Sequence, residues 1–209
     1  APDSFYSGDT EPVANVGLPR DYYAWTWGAA LFVVIDPYWH SPVQVDAGLG
    51  GQGGGGQGGA GGKGGGGKAA GGKARDLWDV SIGDAQYQWL RHTLESSTAR
   101  YTFVFEHHVL GTGRGGVEEA GLYEWGGKSQ DGTDAFVAHR PGWQLPIQQL
   151  MAKTGVTIFF QGHDHLYAHQ ELGGVTYQET PNPADPTYTA FNADAYRSGT
   201  VLPNSGHLR

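Results

Sequence analysis

Two short histidine clusters are the residues in this sequence best suited to do chemistry. The first is His107-His108, preceded by Glu106, and the second is His163-Asp164-His165, preceded by Gln161-Gly162. Imidazole is neutral or nearly so at pH 7, and its nitrogens suit zinc, iron, manganese or nickel. In His-x-His on a tight loop, the two rings can address one ion or two adjacent ions. Gly162 is expected to let the backbone turn sharply there. A single histidine is more often structural than a ligand, but two clusters at equivalent positions favour a metal site. Arg114 follows the first cluster on a glycine-rich loop, Gly111-Thr112-Gly113-Arg114-Gly115-Gly116. Its forked donors could hold a phosphate oxygen; an exposed loop arginine is an equally good reading.

Both clusters follow runs of strand character, Tyr101–Phe105 and Val156–Phe160. A third apolar run, Ala29–Ile35, precedes them and ends at Asp36. Between the runs lie helical patterns. Asp84 can cap a helix reaching about Ser96, with Tyr87, Leu90 and Leu94 on one stripe. Pro146 suits the first turn of a second helix carrying Ile147, Leu150 and Met151, and Gly155 sits where a C-terminal cap belongs. Gly173-Gly174, flanked by Leu166–Leu172 and Val175–Thr180, is a two-residue hairpin signal. Alternating strands and helices predict an α/β fold, a layered sheet of parallel strands with crossover helices plus a hairpin. Continuous apolar runs suggest strands covered on both faces. Parallel strands would bring both histidine clusters to the carboxyl edge, where open α/β sheets place their ligands.

The rest of the chain frames this unit. Residues 48–72 are nearly all glycine and read as a flexible insertion. Lys63, Lys68 and Lys73 in or beside it are better explained as solubilising charges than as phosphate contacts. From Pro181 to Arg209 the chain reads as coil, and Asp185, Tyr188, Asn192 and His207 within it have no assignable role. Tyr22, Tyr23, Trp25, Trp27, Tyr38 and Trp39 are expected to serve packing more than a substrate pocket. With 209 residues, 38% of them hydrophobic, the chain has enough apolar surface for one real core. The net charge of −8 argues against a nucleic-acid or anionic-membrane surface. No apolar run approaches the roughly 20 residues of a membrane span. The absence of cysteine excludes disulfides, thiolate metal sites and a Cys nucleophile. Gly121 to Ser129 fails the phosphate-loop spacing because Gly127 stands where lysine is needed. No G-x-S-x-G elbow is present.

Gly162-His163-Asp164-His165 resembles the closing G-H-x-H motif of calcineurin-like metallophosphoesterases, which include purple acid phosphatases. Phe103-Val104-Phe105-Glu106-His107-His108 resembles the strand-then-His motif of that family. Tyr23-Ala24-Trp25, the Phe32-Val33-Val34-Ile35-Asp36 strand and the Gln86 to Leu90 segment resemble what precedes it there. The resemblance spans roughly Tyr22 to Tyr177 and implies the C-terminal half of that family's β-sandwich. It implies metal-dependent hydrolysis of a phosphoester by a metal-activated water. His107 and His163 would be ligands of one metal and His165 of the other, with zinc, iron or manganese as the ions, two in the complete family site. His108 and Asp164 would orient or polarise, and Arg114 or His108 would stabilise charge or donate a proton.

Three of the family's motifs are missing: an Asp-x-His, a Gly-Asp whose aspartate bridges the metals, and an Asn-His pair. Gly8-Asp9 lacks the right surroundings, and Gly83-Asp84 is better explained by helix capping. Asp36 is a carboxylate on the right edge, but not a position the family uses. Three neutral imidazoles cannot offset two adjacent cations, so the chain is expected to hold at most one metal well. It reads as one partial domain over residues 1–209, lacking an N-terminal half or paired with another chain, or as an inactive relative. The alternative is a non-catalytic module binding a single ion, although structural zinc normally takes four protein ligands.

Overall fold

A computed structural model describes residues 4–7, 12, 14, 21–37, 77–111, 114–182 and 192–202. The glycine-rich stretch with Lys63, Lys68 and Lys73 lies outside the described residues, as do Tyr38, Trp39, Gly8-Asp9, Asp185, Tyr188 and His207.

The strands form a single mixed sheet in the order β1-β2-β3-β4-β5-β7-β6-β8. At its centre β3 (Ala30–Val34), β4 (Tyr101–Phe105), β5 (Ile158–Gln161) and β7 (Val175–Glu179) run parallel. On one side β2 (Tyr23–Trp27) and β1 (Ser4–Ser7) add antiparallel strands. On the other, β6 (Tyr167–Leu172) pairs antiparallel with β7 and with β8 (Thr200–Leu202). The β6–β7 turn is Gly173-Gly174 at φ 61° and 81°, the left-handed pair that a tight hairpin turn requires.

The crossovers are helical. α1 (Gly83–Ser96) leads into β4 and buries Tyr87, Leu90 and Leu94, the stripe read from sequence. Asp84 does not cap it. The Asp84 carboxylate accepts the Trp143 indole N–H at 2.6 Å, and the Gly83 N–H is taken by the Ser81 hydroxyl at 2.9 Å. Between β4 and β5 come two single-turn helices, α2 (Tyr123–Gly126) and α3 (Phe136–His139), and then α4 (Ile147–Thr154). Pro146 opens α4, and Gly155 closes it at φ 71° with its N–H returned to the last turn. The stretch tested as a phosphate loop, Gly121 to Ser129, is occupied by α2 and its flanking bridges.

The main core joins Leu31, Val33, Val104, Phe159 and Tyr177 of the sheet to Tyr87 and Leu90 of α1, Trp125 of α2, and Ile147, Leu150 and Met151 of α4. These helices pack on one sheet face. The central strands alternate between buried and half-buried residues, so the face away from these helices is only partly covered, a correction to the expectation of strands covered on both faces. The apolar runs look continuous because the other face carries aromatic rings. Trp25 stacks on Phe32 at 4.9 Å and Phe105 on Phe160 at 4.9 Å, with Phe32 and Phe103 at 5.4 Å between them. Of the early aromatic residues, Tyr22 is buried against Trp89, Tyr23 and Trp25 stack along β2, and Trp27 is exposed.

The C-terminal reading also changes. Beyond Pro181 the chain is not all coil: a 3-10 turn forms at Ala193–Ala195, and β8 extends the sheet. A three-residue strand whose ladder partner lies over thirty positions away leaves no periodicity to read.

Candidate metal centre

The carboxyl ends of β4 and β5 are zipped together by backbone bonds. The Glu106 N–H donates to the Phe160 carbonyl at 3.0 Å, and the Gly162 N–H to the His107 carbonyl at 3.1 Å. This pairing brings both histidine clusters to one edge. The His107 and His163 rings stand perpendicular with centroids 5.6 Å apart, and the His108 ring stacks on His163 at 4.2 Å. His107 is exposed, His163 half-buried and His108 buried.

Gly162 has a different job from the one read in sequence. The left-handed residues are His163 at φ 79° and His165 at φ 58°. A Cβ on Gly162 would sit 3.2 Å from the His107 carbonyl oxygen, so glycine is there for close backbone approach. Left-handed backbone at a non-glycine residue costs on the order of 1–3 kcal/mol and persists only where neighbours enforce it.

Those neighbours are polar and buried. Asp164, between the two histidines, is fully buried and ion-paired through Oδ1 with Arg114. Its Oδ2 accepts the Tyr196 hydroxyl at 2.8 Å. The Asp164 N–H donates to Glu179 Oε1 at 3.1 Å, and the His165 N–H supports the same carboxyl. Burial lifts the Asp164 carboxyl above its usual range, opposed by Arg114, Tyr196 and the Gly115 N–H. Burial and then the Asp164 charge push Glu179 up to about 10.

Two further groups are altered by their surroundings. Burial, then the neighbouring His163, lowers His108 to about 3, so at neutral pH it is an uncharged ring. Glu106 is buried, and among the described residues neither of its carboxyl oxygens has a hydrogen-bond partner. Burial, followed by the charges of Glu124 and Asp36, raises it well above the carboxylate range. Just past β3, the Gln86 amide exchanges hydrogen bonds of 2.8 Å with both the N–H and the carbonyl of Asp36.

Of the residues singled out from sequence, His107, His108 and His163 come together, and Arg114 and Asp164 join them from behind. His165 lies on the same turn. Among the described residues no group of three or more His, Cys, Asp or Glu stands in an arrangement that could hold a metal ion. Sequence reasoning missed Glu179 and Tyr196. Glu179 was within reach, since it ends the second hairpin strand, which runs parallel to β5 and finishes at the same edge. Tyr196 had no signal, because its contact with Asp164 spans 32 positions out of an irregular segment.

No family model matches the chain, and no curated protein matches it. Among solved structures the chain is similar to GAP50, the anchor in the inner membrane complex of Plasmodium. That similarity has 11% identity and a TM-score of 0.35, covering 85% of this chain and 36% of the other. It is also similar to the purple acid phosphatase PPD1 from yellow lupin (Lupinus luteus) seeds, at 15% identity and a TM-score of 0.37, covering 82% of this chain and 24% of the other. The chain thus spans only about a third and a quarter of the length of these two proteins.

Proposed function

We propose that this chain is the histidine-bearing part of a metal-dependent phosphoester hydrolase. In this reading His107, His163 and His165 supply the imidazoles that hold a zinc, iron or manganese ion. The observation that carries it is the meeting of His107 with His163 across the paired ends of β4 and β5. Because no three His, Cys, Asp or Glu groups are arranged around one point among the described residues, His165 would have to move towards His107 and His163 to complete a site for one ion. Asp164, the carboxylate in the turn, is taken up by Arg114 and Tyr196. When bound, such an ion polarises a phosphoryl oxygen and brings the pKa of its water towards neutrality.

The chain's own residues then divide the remaining work. His108, neutral and stacked on His163, orients that ring and can offer a neutral hydrogen bond. Arg114 is held by Asp164 with 22% of its side chain exposed, and its forked donors suit a phosphate oxygen. Asp164 and Glu179 keep the His163–His165 turn in its left-handed form.

A second reading is a module that binds one metal without turnover. The engagement of Asp164 favours it, because it leaves the turn no carboxylate to bridge a second ion. The test is to load the protein with manganese, zinc or iron, desalt, measure metal per chain, and assay p-nitrophenyl phosphate and its bis-ester. One ion per chain, lost in His163→Ala, with hydrolysis that follows the metal, is the expected result. One ion without hydrolysis selects the second reading. No retained ion overturns both.

A further inference from the structure

The segment from Asn192 to Leu202 reaches the back of the His163–His165 turn. We propose that Tyr196 is a positioning residue whose hydroxyl, acting through Asp164, sets the orientation of the His163 and His165 rings. The functional meaning of this inference rests on the metal-centre reading, but its geometry does not.

Asp164 links two residues held in left-handed backbone, so its side chain is the handle by which the turn is gripped. The grip is two-sided. On one side the loop supplies Arg114, on Oδ1, and the Gly115 N–H; on the other Tyr196 takes Oδ2, and together they fix the plane of the carboxylate. With the Tyr196 hydroxyl gone, the carboxylate is held from the Arg114–Gly115 loop alone and loses its donor on Oδ2. Tyr196 is itself firmly placed, buried with Leu166 and Ala168 and flanked by Ala193, Ala195 and Val201.

The segment carrying Tyr196 is seated by contacts that do not involve the hydroxyl. β8 pairs with β6, and Glu118 accepts the Ser198 hydroxyl at 2.7 Å and the Arg197 N–H at 3.2 Å. The Gln170 amide bridges the Gly115 carbonyl at 3.1 Å and Ser198 at 3.3 Å. A Cβ on Gly115 would lie 2.5 Å from the Ala195 carbonyl oxygen, so loop and segment touch backbone to backbone. Removing only the hydroxyl should therefore leave the segment docked and release one side of Asp164.

The experiment is Tyr196→Phe in the full chain with 15N-labelled histidine, read by ring 1H–15N spectra without metal and by cobalt(II) titration. His163 and His165 ring signals are expected to shift or broaden while His92 and His139 stay in place. Cobalt affinity should fall about tenfold, in line with loss of a group that orients a metal ligand. Two controls separate positioning from general loosening. Tyr177→Phe removes another buried hydroxyl of the same sheet, and Glu118→Gln weakens the segment's surface attachment while keeping the Tyr196 hydroxyl. Both should leave the His163 and His165 signals unchanged.

Unchanged rings and unchanged cobalt affinity in Tyr196→Phe would overturn the inference. So would an equal response in Glu118→Gln, which would assign the effect to docking of the segment. If the unaltered chain binds no cobalt yet the rings respond to Tyr196→Phe, the metal-centre reading fails and the positioning role stands.

Discussion

At the residue scale, Gly162 and Gly199 show two different reasons for glycine. Gly162 needs room beside the His107 carbonyl, 3.2 Å from where a Cβ would sit, and its backbone is not left-handed. Gly199 is left-handed at φ 80°, and its Cβ would fall 2.2 Å from the His169 carbonyl oxygen at the entry to β8. Gly162→Ala should therefore cost about 1 kcal/mol, taken up by a small shift of one carbonyl. Gly199→Ala combines a backbone clash with an unfavourable φ and should cost about 3 kcal/mol. Urea unfolding of the two variants checks the order, and equal midpoints would contradict it.

At the element scale, α1, α2 and α3 are tied at one buried ion pair. Arg140 donates from Nε at 3.0 Å and Nη2 at 2.8 Å to Glu124 Oε2, and Nη2 also reaches the Trp78 carbonyl at 2.8 Å. Glu124 Oε1 accepts the Ile82 N–H at the start of α1 at 2.9 Å. The guanidinium lies over the rings of Trp78 and Trp143. Burial raises the Glu124 carboxyl, and Arg140 is the main force opposing it. Arg140→Ala leaves that carboxyl buried and unpaired and should destabilise the chain by about 3–5 kcal/mol. Arg140→Lys loses the fork and the stacking, so it should recover only part of that. A full recovery by lysine in thermal melts would show that charge alone matters here.

The same network explains what sequence left unread between β4 and α4. Single-turn helices such as α2 and α3 are too short for a hydrophobic period to declare them. They exist because Glu124 and Arg140 bind them to α1 over 16 to 42 positions. The longer α1 and α4, the central strands and the Gly173-Gly174 hairpin needed no such help, because each carries its own periodic stripe or turn residue.

At the scale of the whole molecule, a sheet with helices on one face and a ladder of rings on the other holds its candidate site at one edge, where the parallel strands end. Among the described residues no helix is long and apolar enough to cross a membrane. An ion bound at that edge joins β4 to β5 in the folded chain only, so it should add stability. At a free metal concentration of 100 times Kd the gain is about 2.7 kcal/mol. For a chain of this size that corresponds to a rise in Tm of roughly 5–10 °C. Scanning calorimetry with zinc, with zinc plus chelator, and on His163→Ala checks this. A zinc-induced rise that survives in His163→Ala would place the ion elsewhere.

By itself, the sequence determined the elements whose information is local: the stripe of α1, the cap of α4, the tight hairpin, and the β-rich runs that deliver His107 and His163 to strand ends. It also carried the α/β class, since alternating strands and helices leave few ways to build a sheet. Only the tertiary structure decided that helices take one face of that sheet while aromatic rings fill the other. It alone placed left-handed backbone at His163 and His165 rather than at Gly162, and it alone brought Tyr196 and Glu179 to Asp164. Those outcomes rest on contacts between groups far apart in the chain. Buried polar partners are chosen by what the fold brings within hydrogen-bond reach, and no local pattern records that choice.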